Sequence, residues 1–333
     1  MSIFTSLKIT APGIQAVVED WPGRIGYYKY GYSISGAADH YAHRFANLLV
    51  GNPVTEATLE VAGGMFEAEF EGDTIIAVCG ADLQPTLNNQ PIPLWESIKV
   101  KKGDKLKLGF SKGNGFRAYI AFAGGIDVPK FFGSKSTCLY GRYGGYQGRP
   151  LQKGDVLKIG SNTDKNLEGR KVKKEYIPKY ERSWEVRMIP GPTASPDFIT
   201  ETGMDRIYST EFKIDRNSDR SGYRLVTPKE VFPDSWARKD GGVAGLHPSN
   251  LVDMGYSLPG GLNVCGDMII ILGPDGPCGG GFVIAGMVAY VDVWKVFQAV
   301  PGRDAIKFRY ATVDEAAEAR KEQAKIISSE AIE

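Results

Sequence analysis

Lys102-Gly103-Asp104-Lys105-Leu106-Lys107-Leu108, Lys153-Gly154-Asp155-Val156-Leu157-Lys158-Ile159 and Pro301-Gly302-Arg303-Asp304-Ala305-Ile306-Lys307-Phe308 are versions of one phrase. In each, a glycine turn leads into residues that alternate between polar and apolar, the pattern of a strand on a half-buried sheet. Each therefore predicts a strand that closes a sheet or barrel. A Gly-Gly step after an apolar strand also recurs, at Ala123-Gly124-Gly125-Ile126 and at Gly279-Gly280-Gly281-Phe282, once in each half of the chain. The simplest reading is a mainly β chain of two related β domains, residues 1–164 and 165–333. The polar stretch Asn162–Arg182 then serves as a solvated connector.

Composition agrees and narrows the field. A chain of 333 residues is long enough for two domains with their own cores. Its 42% apolar and 24% charged residues exclude a disordered or fibrous class. Forty Lys and Arg against 39 Asp and Glu leave a net charge of +1, so no global field draws in nucleic acid or an anionic membrane. Gly 41 and Pro 19 argue for many turns between short elements. Cys79, Cys138, Cys265 and Cys278 form no CxxC pair, which leaves neither a zinc ribbon nor a disulfide framework. Met1–Thr10 lacks the basic-then-apolar order of a secretory signal, and no apolar stretch approaches the ~20 residues that span a bilayer; a cytoplasmic location is expected.

Local signals place the elements. Ile75–Cys79 reads as a buried strand, and Asn88-Asn89 sits where a hairpin needs positive φ. A helix is expected to start at Ser35 or Asp39, with Tyr41, Phe45, Leu48 and Leu49 on one face, and to stop at Gly51 and Pro53. Thr312-Val313-Asp314-Glu315 is a capping box that opens a terminal helix to about Ile327. Elsewhere helix is expected to be nearly absent, apart from a helix-like run that places Trp294 and Phe297 in a core.

No Walker loop, GxSxG, HExxH or helix-opening GxGxxG is present, so chemistry has to come from residues gathered by the fold. The loop from Asp20 through Arg24 and Tyr28 to Ser35 and Asp39 is shaped by glycines and carries groups able to orient a ligand. The plainer alternative is a turn in which Asp20 pairs with Arg24 and Asp39 caps the helix. Asn217–Arg224 offers two guanidinium forks, Arg220 and Arg224, suited to a carboxylate or bicarbonate-like anion, or else a salt-bridged turn. The strongest signal joins His247-Pro248-Ser249-Asn250-Leu251-Val252-Asp253 with Asn263 and with Gly273-Pro274-Asp275-Gly276-Pro277-Cys278-Gly279-Gly280-Gly281. An imidazole, a hydroxyl, an amide and two carboxylates beside glycine N–H groups are the ingredients of an oxyanion or ureido pocket. His40 and His43 share a helical face without a third ligand, so no metal is expected, and Cys278 reads as a packed thiol.

Taken in order, Asp20-Trp21-Pro22-Gly23-Arg24-Ile25-Gly26-Tyr27, Ser35-Gly36 with Asp39, Arg44 to Pro53, Leu59-Glu60, Cys79-Gly80-Ala81-Asp82, Arg117-Ala118-Tyr119, Gly124-Gly125-Ile126 and Gly133-Ser134-Lys135-Ser136-Thr137 resemble the allophanate hydrolase subunit 2 family. That family includes KipA- and PxpC-type proteins and half of the carboxyltransferase domain of urea carboxylase. Ser218-Asp219-Arg220-Ser221-Gly222, His247-Pro248-Ser249-Asn250, Gly273–Pro277 and Gly280–Val283 are closer to the urea carboxylase branch. The segment Tyr32–Asp39 departs from the family's Pro-rich pattern with a Met before the aspartate, which bears on the substrate.

The resemblance implies two cyclophilin-like β-barrels in tandem. It implies a subunit of a biotin-dependent carboxyltransferase that moves carboxyl from carboxybiotin to a urea-like or amide-like nitrogen. The biotin stays on a carrier protein, and ATP is used by the wider assembly. The implied partners are a KipI-like (allophanate hydrolase subunit 1) chain, a biotin carboxyl carrier and a biotin carboxylase. On this reading Arg24 and Arg220 hold the carboxyl group, Asp253 or Asp275 takes the acceptor's proton, and His247 and Asn250 orient the acceptor. Asp20, Tyr28, Ser35, Asp39, Ser249, Gly280 and Gly281 bind substrate. The alternatives are the PxpC-type component of an ATP-dependent 5-oxoprolinase-type lactam hydrolase, and a non-catalytic protein that binds a KipI-like regulator.

Overall fold

The structure is a computed structural model that describes residues 4–232, 234–238, 242, 245–251 and 258–333. The chain forms two compact units. One comprises Met1–Tyr27, Ile34–Tyr180 and Ala324–Glu333; the other comprises Tyr28–Ser33 and Glu181–Gln323. Among the described residues, no helix is long and apolar enough to cross a membrane.

In the first unit the strands are β1 (Phe4–Pro12), β2 (Gln15–Glu19), β3 (Thr58–Ala62), β4 (Phe66–Phe70), β5 (Thr74–Gly80), β6 (Thr86–Leu87), β7 (Gln90–Pro91), β8 (Ser97–Val100), β9 (Lys105–Leu108), β10 (Arg117–Phe122) and β11 (Val156–Gly160). They make a six-stranded sheet, β11-β1-β4-β9-β6-β7, and a five-stranded sheet, β2-β3-β10-β5-β8. One core joins the two, with Leu7, Phe66, Phe70 and Leu106 from the first sheet and Leu59, Val78, Ile120 and Phe122 from the second. Helix α1 (His40–Leu49) packs on β10 and β5. This explains why β3, β5 and β10 are buried at every position. With one face on the core and the other under α1, their alternation disappears. Polar residues on the helix side of this sheet, Glu60 and Tyr119 among them, are thereby shut away from water.

The second unit holds β12 (Ser183–Pro190), β13 (Glu211–Ile214), β14 (Gly222–Val226), β15 (Gly261–Cys265), β16 (Met268–Leu272), β17 (Val283–Val288) and β18 (Ala305–Tyr310), with α2 (Glu201–Ser209), α3 (Tyr290–Gln298) and α4 (Val313–Ile326). The strands close into a barrel in the order β12-β17-β15-β16-β14-β13-β18. Closure comes from the parallel pair β12 and β18, and it removes the unpaired edges that an open sheet would leave. Inside are Val186, Phe212, Tyr223, Leu262, Ile271, Ile306 and Phe308, all buried. The mainly β class is as the sequence implied.

The thrice-repeated phrase forms three strands: Leu106 and Leu108, Leu157 and Ile159, and Ile306 and Phe308 face inward. Its glycines Gly103, Gly154 and Gly302 take φ of +88°, +93° and +76°, a region that a Cβ disfavours. The aspartate has a purpose of its own. Asp104, Asp155 and Asp304 each accept the backbone N–H of a residue just before the turn, from Lys101, Gln152 and Val300 at 2.7, 2.7 and 2.9 Å. The side chain thus satisfies a donor that the tight turn would orphan.

Other local signals also hold. Asn88 and Asn89 take φ of +54° and +64° between β6 and β7. In the capping box, Glu315 N–H donates to Thr312 Oγ1 and Thr312 N–H to Glu315 Oε2, at 3.2 and 2.8 Å. Trp294 and Phe297 are buried on α3. Helix α2 was not expected; its apolar positions, Met204 and Ile207, are too few to mark a stripe. The stretch expected as a solvated connector is partly packed. Val172 is buried and pairs with Ile332, and Tyr41 Oη donates to Tyr176 O at 2.7 Å.

Candidate functional site

The Asp20–Asp39 loop is built as a buried polar frame. Asp20 accepts from Ser134 Oγ, Ser136 Oγ and Lys135 N–H at 2.8, 2.5 and 2.6 Å, and its own N–H donates to Ser136 Oγ at 2.9 Å. Gly133–Thr137 therefore clasps Asp20, and the pairing of Asp20 with Arg24 expected of a plain turn is not made. Arg24 has no exposed surface. It donates through Nε to Phe131 O, through Nη2 to Ser136 O and through Nη1 to Ser35 Oγ, at 3.0, 2.7 and 3.3 Å. Its guanidinium lies 5.5 and 4.8 Å from the Phe131 and Tyr143 ring centroids. Ser35 is buried at φ +55°. Asp39 is the N-cap of α1: Oδ1 accepts from Tyr41 and Ala42 N–H, both at 2.9 Å. Replacing Asp39 with Ala is expected to destabilise by about 1 kcal/mol, read as a lowered denaturant midpoint at unchanged slope.

Beneath this loop lies a network whose residues appeared in the sequence only as family motif positions. Glu60 accepts from Arg117 Nε at 3.2 Å, Tyr119 Oη at 2.7 Å and Ala38 N–H at 3.0 Å; Tyr119 Oη in turn accepts from Asp39 N–H at 2.6 Å. All three side chains are buried. Burial pushes the Tyr119 hydroxyl well above its ordinary pKa, with the nearby Glu60 and Asp39 charges adding to the shift. A glutamate and an arginine inside otherwise apolar strands were the legible signal.

In the second unit the motif residues lie at opposite ends of the barrel strands: Arg220 and Asp275 where β14 begins and β16 ends, His247 and Ser249 beside the turn between β15 and β16. Arg220 and Asp275 are 1% exposed each and paired at 3.0 and 3.3 Å, and Asp275 N–H also donates to Arg220 O at 3.1 Å. The turn carrying Arg220 is thus locked to the Gly273–Gly276 loop, the salt-bridged alternative of the sequence reading. Ser33 Oγ donates to Gly276 O at 2.8 Å and Tyr28 Oη to Pro277 O at 2.9 Å, so Tyr28–Ser33 clips the same loop. Cys278 Sγ is 3.7 Å from Ser33 Oγ. Desolvation, then the neighbouring Cys278, raises the Tyr28 hydroxyl to about 12, so at neutral pH it remains a donor.

Beyond Cys278 the chain pairs with the histidine segment. Leu251 N–H donates to Gly281 O and Val283 N–H to Ser249 O, at 2.5 and 2.8 Å, and Asn250 bridges Phe282. Ser249 N–H donates to His247 Nδ1 at 3.2 Å, which leaves the neutral ring's proton on Nε2, 3.4 Å from Asp267 Oδ1. Trp236 Nε1 donates to the same Asp267 oxygen at 3.1 Å and meets the His247 ring edge to face. Ser249 is fully buried, with Oγ accepting Gly266 N–H at 3.0 Å and lying 2.9 Å from His247 Nδ1. Despite the Asp267–His247–Ser249 alignment, that hydroxyl is closed to an incoming electrophile. Two kinds of group stay open: the Asn250 amide and the N–H groups of Gly279, Gly280 and Gly281, none of which has a protein partner among the described residues. Asp253 lies outside the described residues.

The structure thus joins Arg220 with Asp275, Tyr28 with their loop, and His247, Ser249 and Asn250 with Gly281. Asp20, Arg24, Ser35 and Asp39 gather separately in the first unit. The Gly279–Gly281 N–H groups, unpartnered among the described residues, together with the Asn250 amide on the paired segment can bind an oxyanion and orient a polar acceptor. His40 and His43 prove to be buried helix residues, with His43 Nδ1 2.8 Å from Thr58 Oγ1.

A family model described as carboxyltransferase domain, subdomain A and B, matches residues 30–310. Over 97% of its length the chain is 38% identical to a putative urea carboxylase of Emericella nidulans, of which it covers 26%. Over 91% it is 40% identical to the urea amidolyase of Saccharomyces cerevisiae, of which it covers 16%. It is 32% identical to a 5-oxoprolinase subunit of Escherichia coli, with 95% of each chain covered. The crystal structure of Kluyveromyces lactis urea carboxylase superposes with a TM-score of 0.90 at 38% identity, over 97% of this chain and 29% of that one. The chain thus spans less than a third of the length of these urea-related relatives. With the sequence motifs, the barrel and the matched 30–310 span in agreement, the chain belongs to the carboxyltransferase domain family, subdomain A and B, on the side of urea carboxylase.

Proposed function

We propose that the chain is the part of a biotin-dependent carboxyltransferase that receives carboxyl from carboxybiotin and passes it to a urea-like or amide-like nitrogen. It acts in the cytoplasm with a KipI-like partner, a biotin carrier and a biotin carboxylase. The observation that carries this reading is the pairing of Ser249–Leu251 with Gly281–Val283, which brings Asn250 next to the Gly279–Gly281 N–H groups, unpartnered among the described residues. Such donors fit the oxygen of a ureido or carboxylate group, whose negative charge grows as the N–carboxyl bond breaks. Carboxybiotin, when bound, supplies the carboxyl group.

The roles follow burial. Asn250 orients the acceptor, and His247 holds or passes a proton at Nε2 toward Asp267. Ser249 fixes the imidazole. Arg220 and Asp275, having almost no exposed surface, act by locking the Gly273–Gly281 loop. Arg24, Asp20, Ser35 and Asp39 set the first unit's loop in the same indirect way.

The test mixes this chain with its partner chain and a carboxybiotinylated carrier, and follows loss of the carboxyl group on adding urea, small amides or 5-oxoproline. Acceleration by a urea-like or amide acceptor is expected. No acceleration, together with ATP hydrolysis driven by 5-oxoproline, would instead establish the lactam-hydrolase reading, which the 95% mutual coverage with the Escherichia coli 5-oxoprolinase component favours. Asn250→Ala should lower carboxyl transfer by on the order of 100-fold while the denaturation midpoint stays put, because the side chain makes no hydrogen bond among the described residues.

A further inference from the structure

Among the described residues, a groove on the second unit shares none with the His247–Gly281 site. It is a largely open groove with about 550 Å³ of space, within the range of small-molecule sites. Its walls combine Glu201, Asp205, Tyr208 and Tyr310 with an apolar floor of Ala194 and Met204. Helix α2 sets three of these at four- and three-residue spacing, so Glu201, Asp205 and Tyr208 lie on one face. Tyr310, at the end of β18, brings a second ring edge to face with Tyr208, centroids 5.8 Å apart, and is 55% exposed.

Neither carboxylate has a hydrogen bond or ion pair among the described residues. Among the described residues no lysine or arginine lines the groove; Arg206, on the same helix, donates to Ser235 Oγ at 3.3 Å. Tyr208 is steadied by its hydroxyl, which donates to Met188 O at 3.4 Å.

This lining selects its ligand. Two unpaired carboxylates repel an anion, and a neutral apolar guest would desolvate them without return. The tyrosine rings attract a cation, though a metal ion would gain nothing from them or from Ala194 and Met204. Carboxylates one helical turn apart, about 5–6 Å between their Cβ atoms, suit ammonium groups separated by a methylene chain, whose carbons can lie on that floor. We propose that this groove binds a linear aliphatic polyamine, with its ammonium groups on Glu201, Asp205 and the tyrosine rings.

Titration calorimetry of the full chain with putrescine and spermidine at low salt tests this. Saturable binding of one molecule per chain, weakened by added salt, is expected. Glu201→Gln/Asp205→Asn should weaken it by about tenfold or more, and Tyr310→Leu by roughly threefold to tenfold. Circular dichroism melts establish that each variant is folded, and Tyr310, more than half exposed, can be changed without disturbing the core. Absence of saturable binding by the unaltered chain would overturn the proposal. So would undiminished spermidine binding by the folded double variant, or butylamine or Mg²⁺ binding as tightly as spermidine.

Discussion

Arg220→Ala is expected to cost about 3–5 kcal/mol of stability, on the order of 10 °C in Tm, because it takes away the guanidinium paired with the buried Asp275 carboxylate. Both side chains are 1% exposed, so water cannot take over. The paired change Arg220→Met/Asp275→Leu removes both charges and should recover most of that loss. Calorimetry on the two variants checks this. Carboxyl transfer then separates the possible roles of the pair. If Arg220 locks the Gly273–Gly281 loop, the double variant should be stable yet slow, with most of the loss in kcat rather than KM. An Arg220→Ala protein that keeps its melting temperature but loses anion affinity would show a direct clamp on the carboxyl group instead.

The second large effect is acid sensitivity at His43. Burial pulls its pKa from 6.5 down to about 3; against this, the Val54 backbone and Glu60 favour the charged ring, while His40 and Arg44 oppose it. The unfolded chain therefore binds a proton from about pH 6.5 downward, whereas the folded chain does not until about pH 3. Within that window the unfolded state holds more protons, so stability is complete above it and is lost as the pH falls through it. The full span corresponds to roughly 5 kcal/mol. Urea denaturation of the unaltered chain and of His43→Gln at pH values from 8 to 4 measures the contribution. The glutamine variant should show the shallower pH dependence by up to ~1.4 kcal/mol per pH unit, and equal slopes would rule the assignment out.

Much of the fold was legible because its signals are local. The repeated glycine turn works through a backbone angle and a period of two, both written within eight residues. Asp39 and the Thr312–Glu315 box cap helices through contacts two or three residues away. The site was legible only in part. The loop carrying Asp275 and the segment carrying His247 and Asn250 were both recognisable, but their contacts were not. Arg220 reaches Asp275 across 55 residues, and Tyr28 reaches Pro277 across 249. Asp20 passed for a partner of nearby Arg24, yet it is held by serines 114 and 116 residues away.

The sequence by itself determined where strands start, where helices are capped, which residues face inward, and to which family the chain belongs. Each of these rests on forces between residues close along the backbone, or on motifs read in order. Strand order and closure of the barrel decided which charges lose water and which partner each receives. They buried Arg24, Arg220 and Ser249 and left the Gly279–Gly281 N–H groups without a partner among the described residues. Burial and pairing depend on distances between segments far apart in the chain, and those distances exist only once the sheets have formed.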